Sequence, residues 1–412
     1  MKRNYKSISE IGMVITGKTP STNNDSFFEG PFPFITPSDI HTYDEKYLMS
    51  TERTLSESGA NILKSNKLPP NSICFVCIGS TIGKMCKTNQ VSYTNQQINS
   101  IVPKSSYDSD YIFYYLRYVK SYFQLVGGGT GSGKGIVNKS LFSKTKIEVI
   151  EDKKKQFEVA SILSTFDALI EVNNKRIKIL EQMAENLYKE WFVRFRFPGN
   201  ENTRFENGFP SCWEEKRLCD FGITLDSGSR PSGGIDDSIV DGIASLGAEA
   251  VNGLAEFDYS NVKMISKEYY TKMNRGKSTG NDILVYKDGA YIGKITMFRN
   301  DFPFKEFAVN EHVFLLSATD NEYQNYLYFT LHLPEYFILM QNLNRNAAQP
   351  GLSKLDIYKI KITIPDKKTI LLFNSFVEPI IDEIFNIAKQ NRILAKQRDL
   401  LLPRLMSGRL EV

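Results

Sequence analysis

The 412-residue sequence lacks the features of membrane, secreted and strongly basic proteins. It has no run of about 18 uninterrupted apolar residues, the length of a membrane-spanning helix, and its start, MKRNYKSISEIG, has no apolar signal-peptide core. Five cysteines, an odd number in a long chain, favour reduced thiols over a disulfide framework. The formal net charge of +4 permits nucleic-acid binding without requiring it. We therefore expect a cytoplasmic protein with two or more globular domains.

A nucleotide-binding loop is the first motif to test. Residues 126–135, VGGGTGSGKG, contain the spacing G-x-x-x-x-G-K of a phosphate-binding loop. However, Gly135 replaces the Ser or Thr that would hold magnesium, and the stretch follows a helix-like segment instead of a buried strand. We interpret it as a polar surface loop. An ATP-dependent enzyme that uses Lys134 remains a less favoured hypothesis, and it predicts ATP binding that Lys134→Ala abolishes.

Other catalytic and metal-binding motifs are also missing from the sequence. Cys74 and Cys77 have the spacing of zinc ligands, but residues three apart on a strand face opposite sides, and no second pair follows Cys86. No hydrolase motif includes the three histidines, which are His41, His312 and His332. We therefore expect a protein without catalytic residues, without a metal site and without a cofactor of its own.

The sequence contains an internal repeat of about half its length. Residues 71–84 align with residues 281–294 without a gap at a shift of 210 (281 − 71), and six of these positions are identical. Further matches follow in the same order: Gly17, Pro20 and Ser21 with Gly228, Pro231 and Ser232, Asn95 with Asn310, and residues 110–116 with residues 325–331. The second copy of the glycine-rich stretch, residues 343–352, keeps almost none of the glycines, which also disfavours a nucleotide site.

A long helical pattern ends each half of the chain. Each pattern opens with Asp-Lys-Lys, at Asp152 and Asp366, where the Asp is a plausible helix cap. Residues at coiled-coil spacing follow: Phe166, Ile170, Asn173, Ile177, Leu180, Ala184, Leu187 and Trp191 in the first helix, and Ile384, Ile387, Asn391, Leu394, Arg398, Leu401 and Leu405 in the second. Because both patterns share length and phase, we expect the helices to pair, with antiparallel directions, as a spacer. The seam asparagines are interpreted as devices that set the register.

The residues outside these helices form two blocks that mix strand-like runs with short amphipathic helices. We expect an α/β (α+β) fold with a pseudo-twofold internal repeat, in which two similar domains are separated by two long antiparallel coiled-coil helices. The expected boundaries are residues 1–150 for the first domain, 151–197 for the first helix, 198–364 for the second domain and 365–412 for the second helix.

Several motifs together resemble the specificity subunits of Type I restriction-modification systems. They are ITGKTPS (15–21), PFITPSDI (33–40), the two G-x-x-I-G-K turns, Asn95-Gln96-Gln97, the Pro-x-x-Trp at 210–213, and residues 180–192 and 400–409 of the helices. The first half lacks the Pro-x-x-Trp opening, and the second half has ASLGAE (244–249) in place of the Thr-Pro-Ser-Asp segment. The resemblance implies two target recognition domains that read different half-sites.

The resemblance also implies partners and cofactors. It implies a non-catalytic subunit that reads a bipartite sequence in double-stranded DNA and recruits two methyltransferase subunits, with restriction subunits in the full complex. S-adenosylmethionine, ATP and magnesium would then be bound only by the partner subunits. The alternative is a coiled-coil adaptor with two protein-binding domains and no DNA contact, which would show no salt-dependent association with duplex DNA.

Polar loop residues are the candidates for DNA contact, because Arg and Lys bind phosphates and Arg, Asn and Gln bind base edges. The candidates in the first domain are Lys18, Thr19, Ser21, Ser80, Thr81, Lys84, Gln96, Gln97 and Lys134. Those in the second are Arg230, Ser232, Lys287, Tyr291, Lys294, Arg345, Asn346 and Gln349. For each one, the alternative interpretation is a solvated loop side chain or a turn former.

Overall fold

The computed structural model describes residues 2–40, 46–48, 50–128, 135–206, 208–236, 238–260, 262–343 and 351–412. The chain divides into two compact units. The first unit comprises residues 1–171 and 393–412, and the second comprises residues 172–392. Both divisions fall inside the long helices, so each unit contains a part of both helices.

The first unit contains a globular domain and two helix segments. Its strands and helices are β1 (Arg3–Ser7), α1 (Ile8–Ile11), β2 (Gly12–Thr16), β3 (Phe28–Ile35), β4 (Arg53–Leu55), α2 (Glu57–Ile62), β5 (Ile73–Val76), β6 (Met85–Lys87), β7 (Tyr93–Thr94), β8 (Ile98–Pro103), α3 (Ser109–Tyr118), α4 (Lys120–Gly127), α5 (Lys139–Lys144) and β9 (Lys146–Ile150). The long helix α6 (Lys153–Tyr188) begins in this unit, and a single π-helical turn, Lys189–Val193, extends it.

The second unit repeats this order of elements. They are β10 (Phe205–Glu206), β11 (Phe209–Pro210), β12 (Glu214–Arg217), α7 (Leu218–Phe221), β13 (Ile223–Ser227), β14 (Ile243–Leu246), β15 (Lys263–Ile265), α8 (Lys267–Lys272), β16 (Asn281–Tyr286), β17 (Ile295–Arg299), β18 (Phe307–Val309), β19 (Val313–Ala318), α9 (Gln324–His332), α10 (Pro334–Leu343), α11 (Lys354–Lys359) and β20 (Lys361–Ile364). The long helix α12 (Lys367–Met406) follows.

The two units share one sheet topology. The first has an antiparallel sheet of order β2-β8-β5-β6, a three-stranded sheet β4-β3-β7 and a pair β1-β9. The second has the corresponding orders β13-β19-β16-β17, β15-β14-β18 and β12-β20, with an additional hairpin β10-β11. The central strands β5 and β16 are almost entirely buried, as their apolar sequences predict. The internal repeat of the sequence is therefore a repeat of the fold.

The long helices begin where the sequence predicts. Oδ1 of Asp152 accepts a hydrogen bond from the backbone N–H of Lys154 (2.8 Å), and Oδ1 of Asp366 accepts one from Thr369 (3.0 Å). These contacts satisfy amide groups that a helix start leaves without partners. All of the predicted seam residues are buried or half-buried.

The helix segments run antiparallel within each unit, as expected. In the first unit Arg398 Nη1 lies 2.6 Å from Asp167 Oδ1, and Lys155 Nζ donates to the carbonyl of Val412. In the second unit Asn173 Nδ2 donates to Asn391 Oδ1 at 2.8 Å. This last contact joins the two asparagines that the sequence placed at seam positions, which is a polar pairing of the kind that fixes helix register.

Trp213, the Trp of the Pro-x-x-Trp segment, is a core residue of the second unit. Its ring stacks on Phe197 with 5.2 Å between centroids and also contacts the rings of Phe192 and Phe195. The segment thus packs the start of the second domain against the end of the first long helix. In the described part of the chain, no helix is both long and apolar enough to cross a membrane.

Candidate nucleic-acid interface

The connections of the first unit meet at one end of its four-stranded sheet. Thr16, the last residue of β2, pairs with Asn99, and Val76, the last residue of β5, pairs with Ile98 at the start of β8. The backbone N–H of Asn95 donates to the carbonyl of Ile35, which brings the connection after β3 to the same place. We call residues 17–21, 36–40, 77–84 and 95–97 the first loop edge.

Three of these connections are joined directly by candidate residues. The hydroxyl of Thr19 donates to Oε1 of Gln96 at 2.8 Å, and the backbone N–H of Lys18 donates to the carbonyl of Thr94. The carbonyl of Gln97 accepts the backbone N–H of Cys77. The structure therefore brings together the two segments Lys18-Thr19 and Gln96-Gln97, which are far apart in the sequence.

The other candidates of the first loop edge differ in accessibility. Ser21 and Ser80 are exposed, whereas Thr81 is half-buried and its hydroxyl donates to the carbonyl of Ile78. Lys84 is half-buried as well, and its Nζ donates to the carbonyl of Ile40 at 3.1 Å. Lys84 thus holds two connections of this edge together.

The second unit forms the equivalent edge. Ser227 at the end of β13 pairs with Phe314, and Tyr286 at the end of β16 pairs with Val313 at the start of β19. The backbone N–H of Asn310 donates to the carbonyl of Leu246, which brings the segment after β14 alongside. We call residues 228–232, 247–249, 287–294 and 310–312 the second loop edge.

The candidates of the second loop edge also meet in space. Arg230 Nε lies 3.3 Å from Glu311 Oε1, and Lys287 Nζ donates to the carbonyl of Glu311 at 3.0 Å. The Lys294 ammonium lies 6.0 Å from the centre of the Tyr291 ring, which is 62% exposed. Ser232 is exposed. The remaining candidates lie outside the described residues, and they are Lys134, Arg345, Asn346 and Gln349.

Two kinds of glycine fix the backbone of both edges. A Cβ at Gly17 would lie 2.1 Å from the carbonyl oxygen of Asn95, and one at Gly228 would lie 1.7 Å from that of Val309, so only glycine permits these close approaches. Gly83 and Gly293 have φ angles of +92° and +84°, in the left-handed region that glycine tolerates. The matched glycines of the sequence repeat therefore have a structural cause.

Three residues of the second loop edge were missed by the sequence analysis as site residues. Glu311 contacts Arg230, and the ring of His312 contacts both Glu311 (3.4 Å) and Asp288. The repeat itself carried the signal, because the shift of 215 that joins Asn95 to Asn310 also maps Gln96 onto Glu311 and Gln97 onto His312.

The two cysteines with the spacing of zinc ligands lie in the core of the first unit. Cys74 and Cys77 are buried, and the thiol of Cys77 accepts a hydrogen bond from Asn99 Nδ2. Burial raises the pKa of Cys77 to about 12, so this thiol is protonated at neutral pH. Within the ranges that the structure describes, no three His, Cys, Asp or Glu residues form a group that could hold a metal ion.

Comparison with known proteins assigns the family. The sequence profile of the Type I restriction modification DNA specificity domain matches the chain twice, over residues 2–182 and 210–397. The chain is also 30% identical to the Type I restriction enzyme MjaIX specificity subunit of Methanocaldococcus jannaschii, across 99% of this chain and 93% of the relative. The chain belongs to the Type I specificity subunits. This confirms the resemblance stated from the sequence. It also places the chain in a family of non-catalytic DNA-recognition subunits.

Further relatives agree with this assignment. The HindI specificity subunit of Haemophilus influenzae is 34% identical over 179 residues, which is 42% of this chain and 38% of the relative. A crystal structure of the Type I restriction-modification S subunit from M. genitalium superposes with a TM-score of 0.54, at 15% identity, and covers 98% of this chain and 96% of that one. At this identity the structure supports the fold, and the fold of this specificity subunit is the one that its sequence repeat predicts.

Proposed function

We propose that this specificity subunit directs a methyltransferase complex to a bipartite DNA sequence, and that each loop edge reads one half-site. One observation carries the proposal: the two edges share a backbone frame but present different side chains. The pair Thr19–Gln96 of the first edge occupies the position of the pair Arg230–Glu311 in the second. A common frame with different hydrogen-bonding groups is suited to two different base sequences.

The chemistry of the edges fits this role. Lys18 and Lys287 supply positive charge that can neutralise phosphates, which gives affinity without sequence preference. Gln96 and Arg230 have side chains that can make two hydrogen bonds to one base, Gln to adenine and Arg to guanine. DNA binding should therefore weaken as the salt concentration rises, and base preference should depend on Gln96 and Arg230. The coiled-coil adaptor without DNA contact predicts neither effect.

The long helices are the proposed contact for two methyltransferase subunits. In the second unit, Val172, Ile179 and Met183 lie on one face of α6 and are 51–58% exposed, which leaves an apolar stripe without a partner among the described residues. Ile179→Lys should weaken methyltransferase co-purification by at least about tenfold, since it introduces a charge into an apolar contact. Lys178→Arg, at an exposed position on another face of the same helix, is the control, and equal loss in both variants would contradict this assignment. Restriction subunits join this core in the proposed complex, and S-adenosylmethionine, ATP and magnesium belong to the partners.

A domain exchange tests the function. Residues 1–150 would be replaced with the equivalent block of a relative, and the methylated sites of a host carrying the exchanged chain would be mapped by methylome sequencing. We expect one half of the methylated sequence to change and the other half to stay the same, because each edge lies within its own unit. A host that lacks the chain is the control and should lose the bipartite methylation. Changes in both halves of the methylated sequence would contradict the proposal that each edge reads one half-site.

The gap between the half-sites is proposed to depend on the long helices. Four residues inserted after Glu171 lengthen α6 by about 6 Å, close to two base-pair rises. Because the helices are antiparallel, a second insertion of four residues after Arg392 keeps the seam in register. We expect the methylated sequence to keep both half-sites and to gain about two base pairs of gap. An unchanged gap with altered bases would contradict the spacer role.

A further inference from the structure

The second loop edge holds an ion pair that the first edge lacks. Arg230 Nε lies 3.3 Å from Glu311 Oε1, and the side chains are 42% and 43% exposed. The shifts of 211 and 215 place Thr19 and Gln96 at these two positions in the first unit, where a neutral hydroxyl donates to an amide. The repeat thus carries two chemically different side-chain pairs on the same two turns.

We propose that Arg230 reads a guanine in the half-site of the second unit, and that Glu311 is the positioning residue that presents Arg230 to it. The proposal rests on the DNA-reading function proposed above and assigns one base type to one residue.

The orientation of the guanidinium supports this assignment. The shortest contact of Glu311 is with the inner nitrogen, Nε, and among the described residues Nη1 and Nη2 of Arg230 donate no hydrogen bond. The two outer nitrogens form the fork that donates to O6 and N7 of guanine in the major groove. Guanine offers two acceptors there, whereas adenine offers one acceptor and one donor, so the fork discriminates between them.

The backbone beneath Arg230 is held on both sides. Gly228 lies against the carbonyl of Val309, where no Cβ would fit, and the hydroxyl groups of Tyr269 and Ser229 are 3.0 Å apart. On the opposite turn, Oδ1 of Asn310 accepts the backbone N–H of His312 at 2.9 Å. A fixed turn on each side keeps Arg230 and Glu311 facing each other, and base reading needs such preorganised donors.

Glu311 is itself supported by neighbouring side chains. Its Oε1 lies 3.4 Å from His312 Nε2, and the other ring nitrogen of His312 contacts Asp288. The other carboxylate oxygen of Glu311, Oε2, is buried and has no hydrogen-bond partner among the described residues, whereas the closest contacts of the carboxylate with Arg230 and His312 are through Oε1. In the first unit the positions of Asp288 and His312 are Ile78 and Gln97, at shifts of 210 and 215, so this chain of contacts is specific to the second edge.

The experiment measures base preference with the full chain in complex with its methyltransferase subunits. The bound duplexes would be selected from a library in which the mapped half-sites are randomised, for the wild type and for Arg230→Gln, Arg230→Lys and Glu311→Gln. Lys361→Gln is the matched control, because Lys361 forms an exposed ion pair with Glu215 in a different sheet of the same unit. Thermal unfolding of each complex checks that the variants fold, and Arg230→Lys keeps the charge if Arg230→Gln is unstable.

We expect one guanine position of the second half-site to lose its preference by about 5- to 150-fold in Arg230→Gln, the range for a bidentate base contact. Glu311→Gln should weaken the same position by a smaller factor, and Arg230→Lys should retain part of the preference. The first half-site and the Lys361→Gln profile should not change. A residue with only a structural role would lower affinity at every position alike.

Two results would overturn the assignment. One is an unchanged guanine preference in folded Arg230→Gln and Arg230→Lys complexes, and the other is a loss of preference at a position other than guanine. Both are distinct from failure of the proposed function, in which the wild-type complex selects no sequence at all.

Discussion

Arg398 and Asp167 form an ion pair that is almost completely removed from water in the first unit. The side chains are 1% and 6% exposed, and Arg398 Nη1 lies 2.6 Å from Asp167 Oδ1. The hydroxyl of Tyr114 donates to the other carboxylate oxygen, and Nε of Arg398 donates to Asp399. Burial raises the pKa of Tyr114 well above its usual range, with the Asp167 charge as the second cause, so this hydroxyl stays a donor.

The second unit has buried apolar residues at the positions equivalent to Tyr114, Asp167 and Arg398. The repeat places Phe329 at the position of Tyr114, Ile381 at that of Asp167 and Ala184 at that of Arg398, with shifts of 215, 214 and 214. All three are buried. The second unit is therefore an internal control for the first, because its apolar trio shows that side chains without charge can pack at these positions.

We predict that Arg398→Ala destabilises the first unit by about 3–5 kcal/mol, because it leaves Asp167 buried without its counter-charge. The triple variant Tyr114→Phe, Asp167→Ile, Arg398→Ala should recover part of this loss, since it removes both buried charges and reproduces the apolar trio that the second unit buries at these positions. Equilibrium urea unfolding, monitored by hydrogen exchange of the amides in α3, measures the stability of the first unit separately from that of the second. A cost below about 1 kcal/mol for Arg398→Ala, or a triple variant that is less stable than the single one, would contradict this prediction.

Three further predictions concern other parts of the chain. Gly228→Ala forces the loop away from the carbonyl of Val309, so the second half-site should lose preference by about 5- to 150-fold while the first is kept, as measured by library selection. Burial and, as smaller causes, the neighbouring Glu256 and Glu185 raise the pKa of Glu181 from 4.5 to about 7. Between these pH values the folded state binds a proton that the unfolded state has lost. The second unit should therefore lose stability as the pH rises from about 4.5 to 7. Glu181→Gln should remove this slope and raise stability at pH 8 by about 2 kcal/mol, as thermal unfolding at several pH values would show. Lys134→Ala should leave ATP hydrolysis per assembled complex unchanged and lower the salt slope of DNA binding by at most about one, as ATPase assays and salt titration would show.

Features that depend on local backbone requirements could be predicted from the sequence. The apolar run at residues 72–78 contains β5 (Ile73–Val76), and the run at 282–286 lies within β16 (Asn281–Tyr286). The G-x-x-I-G-K spacing is typical of a turn, and its glycines Gly83 and Gly293 both have positive φ angles. Short continuous apolar runs and left-handed turns leave a direct signature in the residues, so the repeat and the fold class followed from the sequence.

Partners across the fold could not be predicted in the same way. Thr19 and Gln96 are 77 residues apart, and Arg398 and Asp167 are 231 residues apart. The seam pattern placed Arg398 on the correct face of its helix, but helical spacing does not say which side chain lies opposite. The repeat maps Gln96 onto Glu311, but it does not indicate that Arg230 lies beside Glu311 in the fold.

At the loop edges, the two halves keep the residues that fix the backbone and differ in the side chains that those turns carry. Gly17 and Gly228, like Asn95 and Asn310, keep the two turns in place, and a larger side chain at either glycine would collide with backbone atoms. Thr19 is half-buried and Arg230 is exposed on those turns, and neither side chain has a comparable constraint, so each can change without moving the frame. A base contact needs its donors within a few tenths of an ångström of the correct position. A rigid frame with replaceable side chains therefore lets one fold read two different half-sites, and it explains why the charge pair of the second edge can stand where the first edge has a hydroxyl and an amide.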